Sequence, residues 1–197
     1  MNKRLFMFVT NAAMVVLFGT IFVLADVINT NEKIMYSEKY YMVYDITKDN
    51  QPEYRYEILN EKGNIVKNET VWRVCPKIEY LDDNTLISIE IGVGTGTWLT
   101  QYYDVNNDLF SEVFESPAIE KYGKVVFINI SEDKPILIVR DIFNKTEYFE
   151  EFVVDFSPVA NPVDALKNVE FLDENTLKIS YLSGNGYDEQ TTTLQLN

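Results

Sequence analysis

The sequence predicts an all-β domain preceded by one apolar helix, and three observations carry that reading. From Tyr40 onward, short runs of β-branched and aromatic residues are broken by Asn, Asp and Gly, the composition of strands and turns. Inside several runs the pattern alternates: Ile87, Ile89 and Ile91 fall on one face, Ser88 and Glu90 on the other, as in antiparallel strands with one wet face. Third, a unit repeats. Ile78-Glu79-Tyr80-Leu81-Asp82-Asp83-Asn84-Thr85-Leu86 returns 91 residues later as Val169-Glu170-Phe171-Leu172-Asp173-Glu174-Asn175-Thr176-Leu177, each a strand, an acidic turn and a strand.

The first element is apolar. Lys3 and Arg4 precede residues 5–24, which are interrupted only by Thr10, Asn11, Gly19 and Thr20. At about 1.5 Å per residue such a helix spans roughly 30 Å, the hydrocarbon thickness of a bilayer. The cations lie before the run and the first charge after it is Asp26, so the positive-inside bias keeps the N-terminus in the cytoplasm and puts the rest outside. Residues 1–25 are therefore a transmembrane anchor or a signal peptide cleaved after Ala25, where Val23-Leu24-Ala25 suits a peptidase. The length of the run favours the anchor. Cys75 is the only cysteine, which excludes a lipidated N-terminal cysteine. Residues 26–39 lack periodicity and read as a stalk, leaving 40–197 as the extracytoplasmic domain.

Strands are expected over 40–46, 54–59, 65–74, 77–81, 85–91, 98–105, 109–115, 124–130, 136–142, 147–156, 169–172, 176–182 and 190–196. Asn60-Glu61-Lys62-Gly63-Asn64 joins the second and third of these as a hairpin, with Gly available for positive φ. Around 161–167, Pro162 suits a first helical turn and Asn161 its cap, so one short turn of helix is expected there. A weaker echo of the repeat begins at Ile119-Glu120, about 41 residues after the first copy. Spacings of 40 to 50 residues suit propeller blades, so antiparallel hairpin repeats stacked like a propeller are favoured over the alternative, a two-sheet β-sandwich.

Composition excludes whole classes of chemistry. With no His and one Cys, disulfide scaffolds, His-containing zinc sites and Ser-His-Asp or Cys-His catalysis fall away. The net charge is −14, and setting residues 1–25 aside takes it to −16. No basic stripe exists to release counterions from a phosphate backbone, so nucleic acid is not a partner. Such a surface suits solubility outside the cell or the capture of a basic protein or cations.

Gly92-Val93-Gly94-Thr95-Gly96 follows a strand, yet Trp98 to Val105 continues as a strand where a dinucleotide fingerprint needs a helix. It reads as a hairpin loop. Trp98, Tyr102 and Tyr103 beside it are the candidate binding residues, because aromatics at Gly-rich turns anchor recognition surfaces. Alternation allows only one of Tyr102 and Tyr103 to face out. Asp104, Asn106 and Asp108 place oxygen ligands at alternate positions, a candidate calcium site, although Leu109 stands where a calcium loop needs Gly. A hairpin tip is the simpler reading of that stretch. Acid pairs at Asp82-Asp83, Glu132-Asp133, Glu150-Glu151 and Asp173-Glu174 would serve a glycosidase only if two carboxylates met across a sugar. Cys75, before Pro76 and without His, reads as an inert thiol.

Tyr102-Tyr103-Asp104-Val105, Phe110-Ser111-Glu112-Val113-Phe114-Glu115-Ser116-Pro117 and Asp155-Phe156-Ser157-Pro158-Val159-Ala160-Asn161-Pro162-Val163-Asp164 resemble uncharacterised exported or membrane-anchored proteins of Gram-positive bacteria. The resemblance spans roughly residues 70 to 197 and implies an envelope location but no activity. Taken together, these features describe a non-catalytic binding module on the outside of the membrane, with no cofactor beyond possible calcium. Two alternatives stand beside it: an envelope glycan hydrolase working through paired carboxylates, and an acidic inhibitor or immunity protein for a basic secreted partner.

Overall fold

The computed structural model describes residues 32–81, 85–94, 96–131, 134–159 and 161–197, and there the chain is all-β. Four antiparallel sheets follow one another, each built from strands consecutive in sequence. The first holds β1 (Lys33–Glu38), β2 (Tyr41–Asp45), β3 (Glu53–Leu59) and β4 (Ile65–Trp72). The second holds β5 (Lys77–Leu81), β6 (Leu86–Gly94), β7 (Thr97–Asp104) and β8 (Leu109–Glu115). The third holds β9 (Ile119–Lys121), β10 (Lys124–Ser131), β11 (Lys134–Asp141) and β12 (Phe149–Val153). The fourth has three strands, β13 (Leu166–Asp173), β14 (Thr176–Ser183) and β15 (Asp188–Gln195).

The turn chemistry behaves as the residues dictate. Asn60 closes the β3–β4 hairpin by accepting on Oδ1 from the backbone N–H groups of Lys62 and Asn64, while Gly63 supplies φ +77°. Tyr122 and Gly123, both at positive φ, make the two-residue turn from β9 to β10 with Lys121 paired to Lys124. The expected helical turn is a 3-10 turn over Pro162–Ala165, with Asn161 accepting from the Val163 N–H at 3.2 Å.

Three apolar clusters stack the sheets in series. Tyr41, Val43, Tyr56 and Ile58 of the first sheet meet Ile78, Ile87, Ile89 and Tyr103 of the second. Tyr102 and Phe114, on the other face of the second sheet, meet Val125 and Ile142 of the third. Val126, Leu137 and Val139, on the third sheet's other face, meet Phe171, Leu177 and Ile179 of the fourth. The second and third sheets are thus covered on both faces, which is why neighbours such as Tyr102 and Tyr103, or Val125 and Val126, are all fully buried. The expectation of one wet face holds for the fourth sheet, whose outer face is polar: Ser180 and Thr191 share a hydrogen bond of 2.9 Å there.

Two segments differ from the expected element list. Residues 26–39 are not stalk throughout, because Lys33–Glu38 forms β1 against β2. Its exposed Lys33, Ile34, Met35 and Ser37 conceal the strand pattern, and only Tyr36 packs inward. Ile119–Lys121 forms the three-residue β9, too short for its alternation to register in sequence. The apolar segment 5–24 and the acid pairs Asp82-Asp83 and Glu132-Asp133 lie outside the described residues. Among the described residues no helix is long and apolar enough to cross a membrane.

Candidate functional site

The end of β4 and the end of β6 enclose an apolar groove of 550 Å³ lined by Val71, Trp72, Arg73, Val74, Ile91, Gly92, Val93 and Gly94. Its first wall is set by backbone geometry. The Arg73 N–H donates to the Pro52 carbonyl and the Val74 N–H to the Trp72 carbonyl, both at 2.9 Å, with Arg73 at φ +71°. A bond from i+2 back to i around a positive-φ centre is a γ-turn of the rare, strained kind. It turns the chain sharply between Trp72 and Val74, leaving them 60% and 40% exposed.

The second wall depends on the absence of a side chain. Gly92 pairs with Trp98 across β6 and β7, and a Cβ there would lie 3.3 Å from both Trp98 Cζ3 and Val74 Cγ1. Without it, the indole and the valine close over bare backbone. Trp98 is fixed from the other side: its N–H donates to Ser116 Oγ at 3.2 Å and its carbonyl accepts the Ser116 N–H at 2.7 Å. The ring stays 41% exposed, with Val93 at 53% nearby. Among the described residues, Arg73 is the only charged one lining the groove, and it makes no ion pair. Two indoles and an unpaired guanidinium can stack on a flat apolar face and hydrogen-bond to its polar rim.

Of the aromatic candidates, only Trp98 reaches the border of this surface, standing against Gly92 rather than among the groove's lining residues. Tyr103 lies in the first intersheet core, its ring 4.5 Å from Phe110 and its hydroxyl donating to Asp108 Oδ1 at 2.6 Å. Tyr102 points the opposite way, its hydroxyl donating to Glu120 Oε2 at 3.4 Å. Trp72 was missed. Its signal was a tryptophan at the end of an expected strand, but exposure there follows from the γ-turn rather than from any pattern.

Asp104, Asn106 and Asp108 form the β7–β8 turn. Asp104 Oδ1 accepts from the Asn106 and Asn107 N–H groups at 2.9 and 3.1 Å, and Oδ2 from Asn107 Nδ2 at 2.7 Å. Asp108, besides Tyr103, accepts Asn60 Nδ2 at 3.3 Å, tying this turn to the β3–β4 hairpin. Among the described residues no three His, Cys, Asp or Glu side chains are placed to hold a metal ion. Burial pushes the Cys75 thiol up, with Asp45 adding to the rise, which disfavours the reactive thiolate.

A smaller pocket of 250 Å³ opens between the second and third sheets, lined by Leu81, Leu86, Glu120, Lys121, Gly123 and Ile142. Burial pushes the Glu120 carboxyl up; the Tyr102 hydroxyl pulls it down, and Glu90 and Glu79 add to the rise. Tyr102 was singled out in sequence as a binding aromatic rather than as a partner of Glu120, and Glu120 carried no site signal, since the two meet only through sheet stacking.

No family model, curated protein or solved structure matches the chain.

Proposed function

We propose that the chain is a binding module rather than an enzyme, carried on the outer face of a Gram-positive membrane by residues 1–25, or secreted after their cleavage, and that the Trp72–Trp98 groove holds an envelope glycan. The observation that carries the reading is the groove itself: the exposed indole of Trp72 in its apolar lining, the exposed indole of Trp98 beside it at Gly92, and an arginine at positive φ that makes no ion pair among the described residues. Sugar rings present flat C–H faces to indoles and hydroxyls or carboxylates to a guanidinium. A basic protein is the poorer fit to this groove, which has no carboxylate among its described lining residues. The test is retention of the full-length protein by solubilised cell-wall glycan. Trp98→Ala and Trp72→Ala should each weaken it by at least about tenfold, the scale of one lost aromatic anchor. Unchanged retention by both variants would refute the assignment.

The module is best read as propeller-like. The reading is supported by four meander sheets that begin roughly every 45 residues, and by inner sheets packed on both faces. A two-sheet sandwich buries only one face of each sheet.

A second reading, hydrolysis of envelope glycan, is favoured by one observation: the Glu120 carboxyl lines a pocket and has its pKa raised, chiefly by burial and further by the charges of Glu90 and Glu79. If it holds, solubilised cell-wall glycan is cleaved by the wild-type chain and not by Glu120→Gln.

A further inference from the structure

The fourth sheet is one strand short of the other three, so β15 stands at an edge where β3, β7 and β11 are interior. Its side chains match that position. The last strands of the other sheets carry charges within them: Lys67 and Glu69 in β4, Glu112 in β8, Glu150 and Glu151 in β12. Such charges keep an edge from pairing with another chain. In β15 the run Gln190-Thr191-Thr192-Thr193-Leu194-Gln195 has no charge and no proline. The register breaks that interrupt β4 and β8 against their neighbours are also missing, since β15 keeps eight consecutive pairs with β14.

The direction of its backbone groups follows from one bond. The Leu196 N–H donates to the Asn175 carbonyl at 2.8 Å, so even-numbered residues of the strand face β14 and the odd ones face away. Glu189, Thr191, Thr193 and Gln195 therefore turn their N–H and C=O groups to the open side.

We propose that this edge pairs with β15 of a second copy, antiparallel about a two-fold axis at Thr192. That register sets each Thr191 opposite Thr193, a favourable cross-strand pair, and each Glu189 opposite Gln195, with no acid facing an acid. The last strands of the other sheets carry charged residues in mid-strand, whereas the acids of β15, Asp188 and Glu189, stand at its start. Each copy carries a net charge of −14, so long-range repulsion opposes association and salt, which screens it beyond roughly 8 Å, strengthens the pair.

Amide hydrogen exchange of the full chain in detergent, over a series of protein concentrations, tests the pairing. The Glu189, Thr191, Thr193 and Gln195 amides should exchange at least tenfold more slowly at high concentration, and more so in added salt. Thr193→Pro removes an N–H that β14 does not use, so the sheet should survive while the concentration dependence disappears. Thr193→Lys should act in the same way and serves if the proline variant unfolds. Three results overturn the proposal: these amides exchange freely at every concentration, they are protected even at high dilution because residues of the same chain cover the edge, or both variants keep the concentration dependence.

Discussion

Tyr102 and Tyr103 are adjacent in β7 and both fully buried, one in the core between the second and third sheets and the other in the core between the first and second. Replacing each in turn with alanine tests whether the second sheet is packed on both faces. Burial of a Tyr side chain removes roughly 200 Å² from water, which at about 25 cal/mol per Å² is about 5 kcal/mol as an upper figure. Large-to-small aromatic substitutions in cores lose about 3 to 5 kcal/mol. Tyr102→Ala and Tyr103→Ala should therefore each destabilise by about 3 to 5 kcal/mol. At about 2 to 4 °C per kcal/mol for a chain of this size, Tm falls by roughly 6 to 20 °C. The assay is urea and thermal unfolding followed by circular dichroism. If the sheet had one wet face, one of the two changes would stay within about 0.5 kcal/mol. A cost below about 1 kcal/mol for either variant refutes the serial packing.

Three further outcomes follow from particular contacts. Arg73→Gly removes the strain of a side chain at φ +71°, so it should raise stability by about 0.5 to 1 kcal/mol while weakening glycan retention; a lower Tm would show that the arginine packs structurally. Glu120 has a folded pKa raised by burial, so its own contribution to stability is fully present below its unfolded pKa and is lost as pH rises through the folded one. Glu120→Gln should flatten that slope and exceed wild type in Tm at pH 7, and an unchanged pH profile would contradict the burial of this carboxyl. EDTA should leave Tm unchanged, because the Asp104 carboxylate is engaged by its own turn and Asp108 by Tyr103 and Asn60; a fall reversed by calcium would restore the metal site.

Strands, turns and the repeat were legible because each is a local signal. Ile87 and Ile89 alternate with Ser88 and Glu90, Gly63 sits where positive φ is needed, and the two copies of the repeat became β5–β6 and β13–β14. Two-sided burial also left a trace: Tyr102-Tyr103, Val125-Val126 and Leu137-Ile138-Val139 are unbroken apolar runs inside strands, the pattern of sheets covered on both faces. The groove left none. It needs the end of β4 and the end of β6, parts of different sheets, to meet around a γ-turn centred on Arg73. For the same reason Trp98 could be singled out beside its glycines while Trp72 could not.

Trp72 and Trp98 are the only two tryptophans in the chain, so its intrinsic tryptophan fluorescence reports on the groove lining and on its border at Gly92. Titrating the full-length protein with solubilised cell-wall glycan, with acrylamide as a quencher, is the most direct test of the binding site. Both rings are exposed in the free protein, and glycan binding should shift the emission to the blue and protect it from quenching. Glycan retained by the protein with no change in emission or quenching would place the binding site elsewhere.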